Sequence, residues 1–279
     1  MTLSSHLAPL LSQWPVIVWV EDRLTRAYLQ DIWQADNPLI QILVAGGNET
    51  VAGVVHDLRG LGHANVFGFT DRDFRSTNRD KWLNLNSEIE VFRPQALEIE
   101  NFLLDWDALA GCTENQSRQQ RSGEELCRRA ETVAQSMVWW MACRRILSHV
   151  RELLISAYPH HPRQGRVTTL EEAFEYITAP GWYSAFPDHS RDIQDRNFLE
   201  LKLKETHGEL IYFLTNGLWV REFSGKEIFR QVRGYLFNTR YGNDEAMDID
   251  LAKSVARWQI ANNRQPEELT GNRDRFVYF

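Results

Sequence analysis

The chain has 279 residues, 43% of them hydrophobic and 11% aromatic, which is enough to bury a sizeable core in one or two domains. A formal charge of −7 argues against a generally basic nucleic-acid binder, because phosphate contacts need Lys and Arg. It leaves room for a polyanion held through bound metal and a few local basic groups, and no run approaches the roughly 18 apolar residues of a membrane span.

The N-terminal M-T-L-S-S-H-L-A-P-L-L-S lacks a basic n-region and a clear cleavage site, so no signal peptide is expected. Val16 to Val20, V-I-V-W-V, is a continuous apolar run of the kind found in a central strand covered on both faces, and Glu21 follows at its end. Arg23 to Gln34 reads as a helix with Leu24, Ala27, Tyr28 and Ile32 on one face. Leu39 to Val44 reads as a second strand ending in Gly46-Gly47, with Asn48 or Thr50 capping a helix through Leu58. Val66, Phe67 and Phe69 then form a short third strand, and Asp71 and Asp73 arrive where it stops. The order β-α-β-α-β predicts an α/β fold with a doubly wound, mainly parallel sheet over residues 1–121.

The polar stretch 75–80 reads as a surface loop, and Glu90 to Phe92 as a further short strand that Pro94 ends. Leu97 to Leu104, L-E-I-E-N-F-L-L, is either helical, with Leu97, Phe102 and Leu104 inward, or extended, with Glu98 and Glu100 on one face. From Glu124 to Ser156 apolar residues recur at helical spacing without a Pro or Gly, a long helical pattern. Residues 158–166 read as a loop. Thr169 and Glu172 resemble a capping box for a helix through Ile177, and Pro180-Gly181 breaks the chain after it. Helices are also predicted over Asp195 to Thr206, from Ser224 or Gly225 onward, and over Asp248 to Asn262. The second part, 122–279, is thus a mostly helical domain or a cap on the sheet.

Three strand-end carboxylates stand out: Glu21 after the first strand, and Asp71 and Asp73 after the third. Ligands of open α/β sheets bind at the carboxyl ends of the strands, and acids gathered there repel one another until a cation intervenes. Oxygen ligands without His favour a hard cation such as Mg²⁺, with Mn²⁺ as its substitute, and such a metal activates water in nucleases. Cys112, Cys127 and Cys143 form no C-x-x-C pair, which argues against a disulfide framework or a structural zinc and for a reducing cytoplasm. The cysteines read as core fillers, Trp139-Trp140 as helix packing and His160-His161 as a solvated loop. Arg144, Arg145 and Arg151 read as a basic helix face, either solvated or tracking a nucleic-acid backbone. The chain contains neither a P-loop nor G-x-S-x-G, so it carries no ATPase or serine-hydrolase signature.

V-I-V-W-V-E at 16–21, G-G at 46–47 and F-G-F-T-D-R-D at 67–73 resemble the Toprim domain. L-E-I-E-N-F-L-L and the later S-G-K-E-I-F at 224–229 are similar to the OLD-like branch of that family, and to the stand-alone Toprim effectors of anti-phage defence. The resemblance implies metal-dependent phosphodiester hydrolysis of RNA such as tRNA, or of DNA, by a toxic effector, possible as a homodimer, that an ABC-type ATPase partner holds or releases. Glu21 is then a metal ligand or general acid/base, and Asp71 and Asp73 are metal ligands. Glu98 and Glu100 hold a second metal position or support the first, and Lys226 neutralises the phosphate under attack. Where the Toprim pattern carries Gly and an acid after its Glu, this chain has Asp22 and Thr25. That departure suits the alternative, a Toprim-like binding or regulatory subunit of an ATPase-containing complex.

Overall fold

The run V-I-V-W-V forms β1 (Val16–Val20), buried along its whole length inside the sheet. The computed structural model describes residues 11–34, 39–74, 82–85, 88–153, 162–163, 165–179, 195–237 and 245–277. After β1 come α1 (Arg23–Gln34), β2 (Ile40–Val44), α2 (Asn48–Gly60) and β3 (Val66–Phe69), in the expected β-α-β-α-β order. β1 pairs in parallel with β2 on one side and with β3 on the other. A short strand, β4 (Trp82–Leu85), lies antiparallel at the edge, and β5 (Glu88–Phe92) runs parallel to β3. The protein is α/β, with an open, mainly parallel sheet in the order β2-β1-β3-β5-β4.

The period of two along each strand divides the core. Val16, Val18 and Val20 join Phe67, Phe69 and Phe92 on one face, where α1 packs Tyr28, Leu29, Ile32 and Trp33. Ile17, Trp19, Val66 and Val91 line the other face and meet Val51, Val55 and Leu58 of α2. The two helices take opposite faces because crossovers of one hand that move in opposite directions across a sheet must do so. β1 therefore leads away to β2 while β3 returns on its far side. The carboxyl ends of β1 and β3 flank a topological switch point, where such sheets leave a crevice.

The rest of the described chain is helical: α3 (Trp106–Gly111), α4 (Thr113–Arg118), α5 (Gly123–Ser136), α6 (Val138–Leu153), α7 (Leu170–Ile177), α8 (Arg196–Thr215), α9 (Trp219–Glu222), α10 (Gly225–Phe237), α11 (Glu245–Ala261) and α12 (Glu267–Val277). All of these helices except α4 share a core with the α1 face of the sheet. Tyr28 Oη donates to Gln259 Oε1 at 2.7 Å, and Trp33 Nε1 donates to the Leu269 carbonyl at 2.9 Å. The Trp33 ring also meets Phe69 and Phe276 edge-on, with centroids 6.0 and 5.6 Å away. Of the cysteines, Cys112 and Cys143 are buried, Cys127 is half-buried, and all three are free. No described helix is long and apolar enough to cross a membrane.

The long helical pattern from Glu124 is carried by two helices, α5 and α6, separated at Met137. A one-residue interruption barely displaces the apolar stripe, so periodicity could not reveal it; the buried Met137 N–H turns back to the Ala134 carbonyl at 3.0 Å. Neither Asn48 nor Thr50 caps α2, whose N-cap is Gly47 without a side-chain bond. α8 continues past Thr206 to Thr215 because Gly208 is carried inside it rather than ending it. α11 starts earlier than expected, and α12 follows it. β4 had no counterpart, since four residues are too few to show alternation. The capping box of Thr169 and Glu172 is present at α7. Residues 75–80, His160-His161, Pro180-Gly181 and the Arg151 side chain lie outside the described residues.

Candidate functional site

Strand register brings the acids together. Val20 of β1 is opposite Phe69 of β3, and Phe69 is opposite Phe92 of β5, so the three strands end side by side. The half-buried Glu21 accepts the Asp71 backbone N–H at 2.9 Å, which ties the end of β1 to the end of β3. Asp71 Oδ1 accepts the Ile99 N–H at 2.9 Å, and the Asp73 N–H donates to the Leu97 carbonyl at 3.0 Å. Asp73 adopts a left-handed backbone with φ of 53°, a conformation that Asp tolerates better than most residues.

The segment L-E-I-E-N-F-L-L is neither the α-helix nor the strand that its pattern allowed. Glu98 is extended, and Ile99–Leu103 forms a single 3-10 helix, so Glu98 and Glu100 are both buried, each 5% exposed. Glu98 acts as a clamp. Its carboxylate accepts the Ser224 hydroxyl at 2.9 Å and the Lys226 backbone N–H at 2.8 Å, at the start of α10. Asn101 locks the same junction: its Oδ1 accepts the Glu98 N–H at 2.8 Å, and its Nδ2 donates to the carbonyls of Val220 and Phe223 at 2.6 and 2.9 Å. The two backbones come so close that a Cβ on Gly225 would stand 2.5 Å from Asn101 N. The motifs E-x-E-N and S-G-K, more than a hundred residues apart, thus form one joint.

Asp22 has a local structural role. Its Oδ1 accepts the Thr25 N–H at 2.8 Å, which caps the N-terminus of α1, while Thr25 is buried. Asp22 also lines an open cleft of about 240 Å³ with Glu100, Lys226, Phe229 and Arg230.

The electrostatics are unbalanced. Burial, followed by Glu100, Glu21, Glu98 and Asp73, raises the proton affinity of the Asp71 carboxyl well above the usual range. Burial and then Glu98 push Glu100 up to about 8, against the pull of Lys226. Glu98 is raised by burial despite its hydrogen bonds and the nearby Arg144. Burial alone lowers the proton affinity of Lys226, but Glu100, Asp22, Glu98 and Asp71 outweigh it and the net shift is upward. Among the described residues, no three acidic, His or Cys side chains are placed to hold a metal ion as they stand. The donors present are carboxylate oxygens, which suit a hard divalent cation rather than zinc.

The sequence did not single out Arg144 as part of this region. With Arg145 it was expected on a basic helix face open to solvent or to a nucleic-acid backbone, yet the structure half-buries both. The Arg144 guanidinium lies over the Phe74 and Trp140 rings at 4.1 and 4.7 Å, and Glu98 and Asp73 act on its charge. Arg145 pairs with Glu209 at 3.1 Å and Glu222 at 3.6 Å, and Glu222 also holds Arg72, from between the two aspartates, at 2.8 Å. Trp139 stacks on His207 at 3.8 Å and Trp140 is buried, so that pair packs helices as expected. The fold and this edge define an α/β protein with an acidic crevice at its switch point. Compared with known proteins, the chain matches no family model and no curated protein.

Proposed function

We propose that this chain is a divalent-cation-dependent phosphodiesterase that cuts nucleic acid, built on the Toprim arrangement that its motifs resemble. One observation carries the proposal: Glu21, Asp71, Asp73, Glu98 and Glu100 gather at the carboxyl edge of β1, β3 and β5, with Asp71, Glu98 and Glu100 all raised in proton affinity. Buried acids that raise one another's proton affinity are stabilised by a cation, and Mg²⁺ or Mn²⁺ suits oxygen donors at a switch point. Glu21, Asp71 and Asp73 would hold the ion, with Glu100 beside it and Glu98 keeping α10 docked. A bound ion of this kind supplies a water of lowered pKa and neutralises charge on a phosphoryl group. The chain's own contribution is to keep Lys226 protonated at the cleft, positioned for a phosphate oxygen, and to keep Glu21 against the Asp71 backbone, near any water to be deprotonated.

The resemblance puts RNA such as tRNA first as substrate and DNA second. It also assigns the chain to phage defence, as a toxic effector governed by an ABC-type ATPase partner. Asp22 does not count against catalysis, because capping α1 explains its presence. Glu21→Ala and Asp71→Ala should each abolish metal-dependent cleavage of tRNA, single-stranded DNA or plasmid while remaining folded. Cleavage at the wild-type rate in either variant rules out this mechanism.

A second reading, a Toprim-like binding or regulatory subunit, has one observation behind it: the described acids do not form a ready-made metal cage. Calorimetry with Mg²⁺ and Mn²⁺ separates the two. Binding at millimolar metal or below supports the enzyme, and no heat at that concentration supports the subunit.

A further inference from the structure

Arg144 projects from α6, far in sequence from the strand ends, yet it reaches the rim of the acidic crevice because Phe74 directly follows Asp73. Its guanidinium is held by rings, over Phe74 at 4.1 Å and Trp140 at 4.7 Å. Glu98, Asp73 and Glu227 act on its charge at longer range, but among the described residues it makes no hydrogen bond and no ion pair within 4.0 Å, and its buried Nε has no partner. Arg145, the next residue, shows the ordinary arrangement, since it is paired with Glu209 and Glu222.

A guanidinium carries five N–H donors in a planar fork that matches two oxygens of a phosphate, and its weak hydration lets it lie against aromatic faces. A side chain that only packed Phe74 against Trp140 would need no charge. A counter-ion for Glu98 would sit within ion-pair distance of it. A half-buried guanidinium with unused donors at the rim of the crevice has no anion in direct contact among the described residues. We infer that Arg144 is a phosphate-binding residue, which takes the non-bridging oxygens of a strand phosphate next to the carboxylate centre. The inference rests on the nuclease reading and adds to it the group that positions the strand. Trp140 and Phe74 set the guanidinium at the crevice rim, so the strand path is expected to pass between α6 and the turn at Asp73.

The test uses the full chain and a fluorescein-labelled single-stranded RNA, with Ca²⁺ in place of Mg²⁺ to slow cleavage, and reads anisotropy across a salt series. Arg144→Gln should weaken binding roughly tenfold and reduce the slope of log K against log salt by about 0.7, the loss of one single-strand phosphate contact. Arg144→Lys should restore the slope but only part of the affinity, because an ammonium keeps the charge and loses the fork. In cleavage with Mg²⁺, the loss in Arg144→Gln should fall mainly on KM. Wild-type affinity and slope in Arg144→Gln overturn the inference, and so does weaker binding with an unchanged slope, which marks a packing role. If Arg144→Gln does not fold, Arg144→Lys decides: wild-type affinity and KM overturn the inference, and a raised KM with an unchanged slope upholds it. A wild-type protein that neither binds nor cuts any nucleic acid removes the nuclease reading itself, and that arm is scored separately from the variants.

Discussion

Replacing Glu100 with Gln removes a carboxylate from the place where the fold opposes its charge. Its carboxyl is pushed up to about 8 from an ordinary 4.5, first by burial and then by Glu98. A group whose folded pKa is raised binds its proton more tightly in the native state. Its stabilising contribution is therefore complete below about 4.5 and is lost as pH rises through about 8. In the metal-free protein, the charge at this one position should cost roughly 2 kcal/mol at pH 6 and roughly 4 kcal/mol at pH 8. Glu100→Gln, which keeps the shape without the charge, should thus be more stable than wild type in EDTA. The advantage should widen by about 2 kcal/mol between pH 6 and pH 8, equivalent to roughly 4–8 °C in melting temperature for a chain of this size. Thermal melts and urea titrations of both proteins at pH 6, 7 and 8 measure this directly. A variant that is less stable than wild type, or a gap that does not change with pH, refutes the electrostatic argument for the whole crevice. Added Mg²⁺ should narrow the gap at pH 8, because it stabilises wild type by mass action and the variant less.

The joint between the two halves of the site yields further predictions. Gly225→Ala places a methyl 2.5 Å from Asn101 N, so α10 must shift off the 3-10 helix. A loss of about 1–3 kcal/mol in urea denaturation is expected, together with reduced cleavage as Lys226 moves. Unchanged stability would show that the contact is looser than its geometry. Tyr28→Phe removes the hydrogen bond to Gln259 and should cost about 1 kcal/mol, which urea denaturation measures. No change there would show that water replaces the hydroxyl.

The strands of the parallel sheet could be read in the sequence because each one announces itself. V-I-V-W-V admits no other role, and the acid after it falls at a strand end by arithmetic alone. The adjacency of Glu21 and Asp71 depends on β1 and β3 being neighbours, which the β-α-β-α-β order makes natural but does not compel. The role of Glu98 was illegible for a different reason. Its partners, Ser224 and the Lys226 N–H, lie more than a hundred residues away, and a 3-10 helix of five residues has too little pattern to be recognised. Asn101 was part of a quoted motif, but only tertiary structure shows that its amide bridges to Val220 and Phe223. Arg144 was misplaced because charge on a helix is usually solvated. The signal that could have located it was its spacing from Trp140, four residues earlier and one turn back on the same face. Met137 shows the limit of periodicity itself, since an apolar stripe can continue across a break in the helix that carries it.

The most direct test of the account is cleavage. Purified protein is incubated with tRNA, single-stranded DNA and plasmid at pH 8, with Mg²⁺, with Mn²⁺ and with EDTA, beside Asp71→Ala treated identically. Wild type should cut at least one of these substrates with either cation, stop in EDTA, and lose that activity when Asp71 is replaced. Cutting that persists in EDTA or in Asp71→Ala, or no cutting of any substrate by a wild-type protein shown to bind the cation, would contradict the account.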